Sequence, residues 1–170
     1  MGKVKKYNSV KLIIGFIYQG EAIFIQARNK LQRRFGKIDF ESCPLDFNCT
    51  KHYAQEMGID LKRRFVSFSK LIPMSELYRI KLYTNRLESK FLNLTNRLIN
   101  IDPGYLDKAK LILASTKDYA HRIYLHKGIF AEVTLAYKGN SFSFCDWSYP
   151  DYRTKEYIDI FNQIRCLYAP

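Results

Sequence analysis

The stretch that decides the fold is Leu12-Ile13-Ile14-Gly15-Phe16-Ile17-Tyr18, which is followed by Gln19-Gly20 and then by residues 21–35. The first run is apolar and rich in β-branched and aromatic residues, so it predicts a buried strand. In residues 21–35 apolar side chains recur at helical spacing until Gly36 ends the pattern. The recurring residues are Phe24, Ala27, Leu31 and Phe35.

The segments that follow extend this strand and helix into a larger unit. Residues 37–40 and 64–68 predict two strands, and Pro73 opens a long helix whose apolar stripe continues to Leu94. Residues 98–101 then predict a fourth strand. The order β-α-β-β-α-β is typical of a ferredoxin-like fold.

The second half of the chain predicts an antiparallel meander. After a turn predicted at Asp102-Pro103-Gly104-Tyr105, apolar segments occupy 111–116, 121–126, 129–137 and 141–146, and a helix is predicted over 154–167. Connections this short permit only antiparallel neighbours. We expect one domain, residues 1–170, of the α+β class: a ferredoxin-like β-α-β-β-α-β half followed by an antiparallel meander and a C-terminal helix.

The chain is strongly basic, with a net charge of +12 over 170 residues. Residues 1–85 carry 16 basic and 7 acidic side chains, whereas residues 86–170 carry 12 and 9. A field of this sign favours polyanionic partners such as RNA or a nucleotide. The alternative is a solvated face that keeps the protein soluble, and no signature of a known RNA-binding module is present.

The four cysteines indicate reduced thiols, because no Cys-x-x-Cys pair is present. Zinc at Cys43, Cys49 and His52 is disfavoured, since structural zinc sites usually use ligands paired two to four residues apart. No apolar run approaches the roughly 18 residues of a membrane span, and the N-terminal segment lacks a signal-peptide cleavage site. We therefore expect a cytoplasmic protein without a membrane partner; its oligomeric state is open.

Glu132 stands out because it lies inside an apolar strand. Alternation places Ala131, Val133 and Leu135 on the core face and Glu132 with Thr134 on the other face. If that second face is covered, the carboxylate needs a cationic partner.

The segment before this strand supplies cations. Lys117 lies in a connection, and Arg122 is predicted on the opposite face of its strand from His121. Under one interpretation these are ordinary turn and rim residues. Under the other, Lys117 and Arg122 bind a phosphate, and His121 transfers a proton near neutral pH with Glu132 as its partner.

The segment Trp147-Ser148-Tyr149-Pro150-Asp151-Tyr152-Arg153 offers two further interpretations. Its aromatic rings could stack a base while Arg153 binds phosphate. Alternatively, Asp151 caps the following helix and the rings cover the end of the sheet. No phosphate-binding glycine loop or nucleophile elbow indicates a cofactor. The carboxylates Asp102, Glu132, Asp146 and Asp151 are candidates for magnesium, but their spacing alone does not bring them together, and no metal site is predicted.

Several long motifs resemble a bacterial family known as domain of unknown function 4416. They are Asn100-Ile101-Asp102-Pro103-Gly104-Tyr105-Leu106, residues 113–125, residues 128–135 and Tyr149-Pro150-Asp151-Tyr152, with Ile80-Lys81, Thr84-Asn85 and Glu88 before them. One departure is His52-Tyr53, where the family pattern has two tyrosines. The resemblance implies a shared ligand site formed by its polar positions: Lys81, Asn85, Glu88, Asp102, Lys117, His121, Arg122, Glu132, Thr134 and Asp151.

Three functions remain open from the sequence. The first is binding of a phosphate-bearing ligand, RNA or a nucleotide, through the polar positions above together with Arg153. The second is an enzyme acting on a phosphoester or nucleotide, with His121 and Glu132 catalytic and Lys117 and Arg122 stabilising charge. The third is a non-catalytic adaptor in a larger assembly.

Overall fold

The computed structural model describes residues 2–3, 9–47, 54–93 and 96–170. Its helices and strands follow the order that the sequence predicts, with several short additions. In chain order they are β1 Val10–Tyr18, α1 Glu21–Phe35, β2 Ile38–Glu41, β3 Leu45–Asp46, α2 Ala54–Met57, β4 Lys62–Ile72, α3 Leu77–Glu88, β5 Leu92–Asn93, β6 Asn96–Arg97, β7 Ile99–Leu106, β8 Lys110–Ser115, β9 Ile123–His126, β10 Ile129–Lys138, β11 Ser141–Phe144 and α4 Lys155–Cys166.

One large antiparallel sheet organises the chain. Its main path runs β11-β10-β8-β7-β1-β4-β2, with β3 beside β4 and β9 beside β10. The part β7-β1-β4-β2, with α1 and α3, has the strand order of a ferredoxin-like unit, and its pairs are antiparallel. Strands β8, β10 and β11 continue the sheet, and α4 closes the chain. The predicted α+β class is confirmed.

Different helices cover the two faces of the sheet. On one face, Leu12 and Ile14 of β1 belong to a buried cluster with Phe24 of α1. On the other, Ile13 of β1 packs in a cluster with Phe161 of α4. Because successive side chains of a strand point to opposite faces, both faces of β1 are buried, which explains why its sequence is apolar throughout.

Strands β7 and β8 pair only at one end, so the sheet opens between them. Their register covers Gly104–Leu106 of β7 and Leu111–Leu113 of β8. In the open part, the Ile101 N–H donates to Glu88 Oε1 at 2.6 Å, and the Ile101 carbonyl accepts from Lys81 Nζ at 3.4 Å. Side chains of α3 thus form hydrogen bonds with backbone groups of β7 that would otherwise pair with a neighbouring strand.

The turn predicted at residues 102–105 is wrong, because these residues form the second half of β7. Gly104 lies where β8 joins, and a Cβ atom there would come within 2.4 Å of the Ile112 carbonyl oxygen. By strand alternation, Pro103 has its ring nitrogen on the open side, where no N–H is needed. The Pro-Gly pair therefore marks a splitting point between strands instead of a chain reversal.

Two other boundaries differ from expectation. Helix α3 ends at Glu88 instead of continuing to Leu94, because the amides of Lys90 and Phe91 donate to carbonyls three residues earlier. The chain then enters the β5–β6 hairpin. Leu94 lies outside the described residues. Strand β9 borders the outer side of β10 instead of separating it from β8, because residues 116–122 form a loop that leaves the sheet.

A bulge in β10 changes which side chains share a face. The register with β8 shifts between Val133 and Leu135, which leaves Thr134 as an extra residue. Leu135 therefore joins Glu132 on the face covered by α4, whereas Ala131 and Val133 pack half-buried on the other face. The prediction that Leu135 faces away from Glu132 is wrong, because period-two alternation fails at a bulge.

The structure bears on two further expectations, one about membrane-spanning helices and one about the cysteines. Among the described residues, no helix is long and apolar enough to cross a membrane. Cys43, Cys145 and Cys166 are free thiols. Cys49 and His52, considered together with Cys43 for zinc, lie outside the described residues, as does the departure at residues 52–53.

Candidate functional site

A cavity of about 720 Å³ lies where β7 and β8 separate, bounded by α3 on one side and by residues 149–152 on another. Its volume is within the range of about 300–1,000 Å³ that is usual for small-ligand sites. Eight of the eleven positions singled out from the sequence line it: Lys81, Asn85, Glu88, Asp102, Lys117, Arg122, Glu132 and Asp151. The three that do not are His121, Thr134 and Arg153.

Asp102 organises one wall of the cavity. Its Oδ1 accepts from Lys81 Nζ at 3.1 Å, its Oδ2 accepts from Asn100 Nδ2 at 2.5 Å, and Arg63 Nη1 lies 3.9 Å from Oδ2. Burial disfavours the charged carboxylate, but Lys81 and Arg63 outweigh it and hold the pKa of Asp102 below its ordinary value. Asp102 is therefore ionised at neutral pH and holds two cations in the wall.

Arg63 is a cavity residue that our sequence reasoning missed. It is 2% exposed, and its Nη2 donates to the Tyr152 hydroxyl at 2.9 Å and to Asp151 Oδ2 at 3.4 Å. Within the described chain, its Nε and Nη1 atoms have no hydrogen-bond partner. One signal could have found it: Arg63 is two residues before Phe65, so strand periodicity places its charged side chain on the same face as a large apolar one, where a cation needs a partner.

Glu88 joins α3 to β7 and to a second missed residue, Arg97. Glu88 Oε2 accepts from Arg97 Nη1 at 3.1 Å, and Arg97 also donates twice to Glu56, at 2.6 and 2.8 Å. Burial raises the pKa of Glu88, against the opposing effect of the Lys81 charge. Arg97 lies in the two-residue strand β6, which is too short to show any periodicity in the sequence.

Glu132 and Arg122 form a buried ion pair in the second wall. Arg122 Nε donates to Glu132 Oε2 at 2.6 Å, and both side chains are 2% exposed. Other Arg122 donors reach Ser115 Oγ at 2.7 Å, the Lys117 carbonyl at 3.0 Å and the Tyr149 hydroxyl at 2.9 Å. The sequence left open whether the Glu132 face is covered; the structure shows that it is, and the pairing with a cation expected under that condition is present.

His121 meets the same carboxylate from outside the cavity. Its Nε2 lies 3.2 Å from Glu132 Oε2, and its ring stacks on Trp147 with centroids 5.5 Å apart and planes 10° apart. The sequence placed His121 and Arg122 on opposite faces of a strand. That expectation is wrong, because strand β9 begins only at Ile123 and the preceding loop turns both side chains toward Glu132.

Thr134 and Arg153 have supporting positions in this structure. Thr134 is fully buried, and its Oγ1 donates to Glu132 Oε1 at 3.2 Å. Arg153 lies outside the cavity lining and donates to the carbonyls of Ser148 at 2.8 Å and Asp146 at 2.6 Å. The Arg153 guanidinium therefore braces the loop after β11.

Asp151 faces the cavity instead of capping a helix. Thr154 is the N-cap of α4, and its side chain accepts from the Tyr157 N–H. Burial raises the pKa of Asp151, although Arg63 opposes the shift. Among the described residues, no group of three or more His, Cys, Asp or Glu side chains is arranged to hold a metal ion, so the four carboxylates considered for magnesium do not converge.

The fold and the cavity define an α+β protein with a charged cavity built from both halves of the chain. The chain belongs to the family described as domain of unknown function (DUF4416), whose model matches residues 8–168. No curated protein and no solved structure matches the chain.

Proposed function

We propose that the cavity binds a small phosphate-bearing ligand of the nucleoside monophosphate class. The observation that carries this proposal is the convergence of cations on one cavity from three separate parts of the chain: Arg63 of β4, Lys81 of α3, and Lys117 with Arg122 of the loop at residues 116–122. Carboxylates of the lining offset part of this charge, because Asp102 and Asp151 lie beside Arg63, Asp102 beside Lys81 and Glu132 beside Arg122. The Lys117 ammonium has no such partner among the described residues. A phosphate group is the ligand that such a set of donors recognises best.

Two of these cations have N–H groups that can donate hydrogen bonds to a ligand. Lys117 is exposed at the cavity wall, and its ammonium forms no ion pair with the carboxylates of the described residues. Within the described residues, two nitrogen atoms of Arg63, Nε and Nη1, donate no hydrogen bond, and a buried donor left unbonded costs about 1–3 kcal/mol. Binding of an anion near Arg63 would offset part of that cost.

The rest of the lining fits the remainder of a nucleotide. Tyr119 and Tyr149 are 49% and 44% exposed beside the cavity, and such rings stack on bases. Asn85 and the carboxylates provide acceptors for sugar hydroxyl groups. A cavity of this volume favours a small ligand over an extended RNA strand.

Isothermal titration calorimetry with adenosine, guanosine, cytidine and uridine monophosphates tests the proposal, with inorganic phosphate and adenosine as partial ligands. We expect at least one monophosphate to bind more tightly than inorganic phosphate and more tightly than adenosine. Lys117→Gln should weaken binding about tenfold, or about 1.4 kcal/mol. Lys138→Gln, which removes the same charge from an exposed position outside the cavity, should not. No binding of any monophosphate, or equal losses in both variants, would contradict the proposal.

A second candidate function is cleavage of a phosphoester bond, and the contact between His121 and Glu132 favours it. The Glu132 carboxylate lies 3.2 Å from His121 Nε2 and orients the imidazole ring. Arg122 and Lys117 would stabilise negative charge that develops on the phosphate. Phosphate release from the monophosphate that binds best measures this directly. His121→Asn should abolish turnover and retain binding; absence of release by the native protein would eliminate the enzyme and leave the binding proposal intact.

A further inference from the structure

A second cationic feature lies away from the cavity, where the C-terminal ends of α1 and α3 meet. Arg34 lies over the Tyr83 ring at 5.7 Å, and the Phe35 and Tyr83 rings pack edge to face at 5.8 Å. A groove of about 410 Å³ runs between the helices and is lined by Arg34, Tyr83, Arg86, Leu87 and Lys90. The two helix ends therefore present their cations to one shared groove.

Further cations extend this groove into a surface. Lys30 lies one turn before Arg34 on the same side of α1, Arg33 is its neighbour in the last turn, and Lys37 follows the helix. All are exposed. We call this surface the α1–α3 patch and define it by six residues: Lys30, Arg33, Arg34, Lys37, Arg86 and Lys90.

The α1–α3 patch has no anionic counterpart. None of its six cations forms an ion pair within the described chain, and the segments outside the description contain no Asp or Glu. The acidic residues of the two helices point elsewhere: Glu21 lies at the other end of α1, and Glu88 faces β7. The cavity, with five cations and four carboxylates in its lining, holds little of the +12 charge.

Favourable interaction with the helix dipoles explains only part of the patch. Arg33, Arg34 and Arg86 occupy last helical turns, where cations are stabilising. Lys30 precedes the last turn, and Lys37 and Lys90 lie beyond the helices, where this effect declines. Six like charges on one surface repel one another, so a polyanionic partner is the economical explanation.

We propose that the α1–α3 patch binds the phosphodiester backbone of single-stranded nucleic acid. The groove combines cations with a tyrosine ring. Proteins that bind single strands use cations to contact the backbone and aromatic rings to stack on the bases. A membrane surface is a poorer fit, because none of the large exposed apolar side chains belongs to the patch or lines its groove. This inference is independent of the cavity ligand, since the cavity uses the opposite side of α3, at Lys81, Asn85 and Glu88.

Fluorescence anisotropy with a labelled oligouridine of about 12 nucleotides, titrated from about 50 to about 200 mM salt, tests the proposal. The native protein should bind with an affinity that falls steeply with salt. The variant Arg34→Gln/Arg86→Gln/Lys90→Gln should lose three phosphate contacts and reduce the slope of log affinity against log salt by about 2. Circular dichroism confirms that each variant is folded.

The control variant is Lys108→Gln/Lys127→Gln/Lys138→Gln, which removes the same charge from exposed lysines outside the patch. It should change the slope much less. Equal effects of the two variants, or no binding at about 50 mM salt, would overturn the proposal. Tighter binding to phosphatidylserine vesicles than to the oligonucleotide would also overturn it. Monophosphate binding should survive in the Arg34 triple variant, and oligouridine binding should survive in Lys117→Gln, which separates this inference from the cavity proposal.

Discussion

Removal of the Glu132 carboxylate should destabilise the protein strongly, because one buried group serves three partners. Arg122 Nε at 2.6 Å, His121 Nε2 at 3.2 Å and Thr134 Oγ1 at 3.2 Å all contact it. Truncation to alanine leaves the Arg122 charge, whose side chain is 2% exposed, without its carboxylate. Breaking a buried pair from one side costs about 3–5 kcal/mol, and we expect that loss for Glu132→Ala.

The conservative variant Glu132→Gln should cost much less. Glutamine also removes the negative charge beside Arg122, but its carbonyl oxygen still accepts from Arg122 Nε, so that donor is not left unbonded and we expect a loss of about 1–2 kcal/mol. Urea unfolding followed by circular dichroism measures both variants. The matched control is Asp159→Ala in the exposed pair Lys155–Asp159, whose side chains are 88% and 48% exposed. That pair should contribute about 0.3–0.5 kcal/mol.

The losses measured for the Glu132 variants show whether the Glu132–Arg122 pair is buried and charge-paired as described. If Glu132→Ala costs no more than about 1 kcal/mol, the pair behaves as an exposed one and the second wall of the cavity is not desolvated. If Glu132→Gln costs as much as Glu132→Ala, the charge of Glu132 matters and its hydrogen-bond geometry does not.

Two other variants test the open edge of β7. Because the pKa of Glu88 is raised, the folded protein binds its proton more tightly than the unfolded chain, so this group lowers stability as pH rises from about 4.3 through its folded pKa. Urea unfolding from about pH 4 to about pH 7 measures this, and the stability of Glu88→Gln relative to the native protein should rise across that window by at most about 1.4 kcal/mol per pH unit. Parallel stability curves for the two proteins would contradict a raised pKa of Glu88. Gly104→Ala should lower the free energy of unfolding by about 1–3 kcal/mol, because its Cβ would lie 2.4 Å from the Ile112 carbonyl oxygen. The control Gly2→Ala, with open space around it, should change stability by less than about 0.5 kcal/mol. Similar values for both variants would contradict the close approach of β7 and β8.

The sequence predicted the elements whose signals are local. The apolar run of β1, the helical spacing of α1 and its stop at Gly36 correspond closely to the structure, because burial on a regular period leaves a regular pattern. The same logic identified Glu132, since a carboxylate inside an apolar strand requires a partner. The family resemblance also singled out Lys81, Asn85 and Glu88, and the structure shows that they lie on the face of α3 that lines the cavity.

The sequence did not predict features that depend on where two strands meet. The Pro103-Gly104 pair has the composition of a turn, but its role is set by the approach of β8, which is visible only in three dimensions. The bulge at Thr134 likewise has no local signature and moves Leu135 to the other face. Arg97 reaches the cavity from a two-residue strand, and no periodic pattern marks it.

The most direct test of the central claim is a crystal structure of the protein grown with the nucleoside monophosphate that binds most tightly in the calorimetric titration. The account predicts the phosphate group inside the cavity, within hydrogen-bond distance, about 2.7–3.2 Å, of at least two nitrogen atoms from Arg63, Lys81, Lys117 and Arg122. The base should lie against Tyr119 or Tyr149. Nucleotide bound only at the α1–α3 patch, or a cavity in which ordered water alone contacts these cations, would contradict the claim that the cavity is the ligand site.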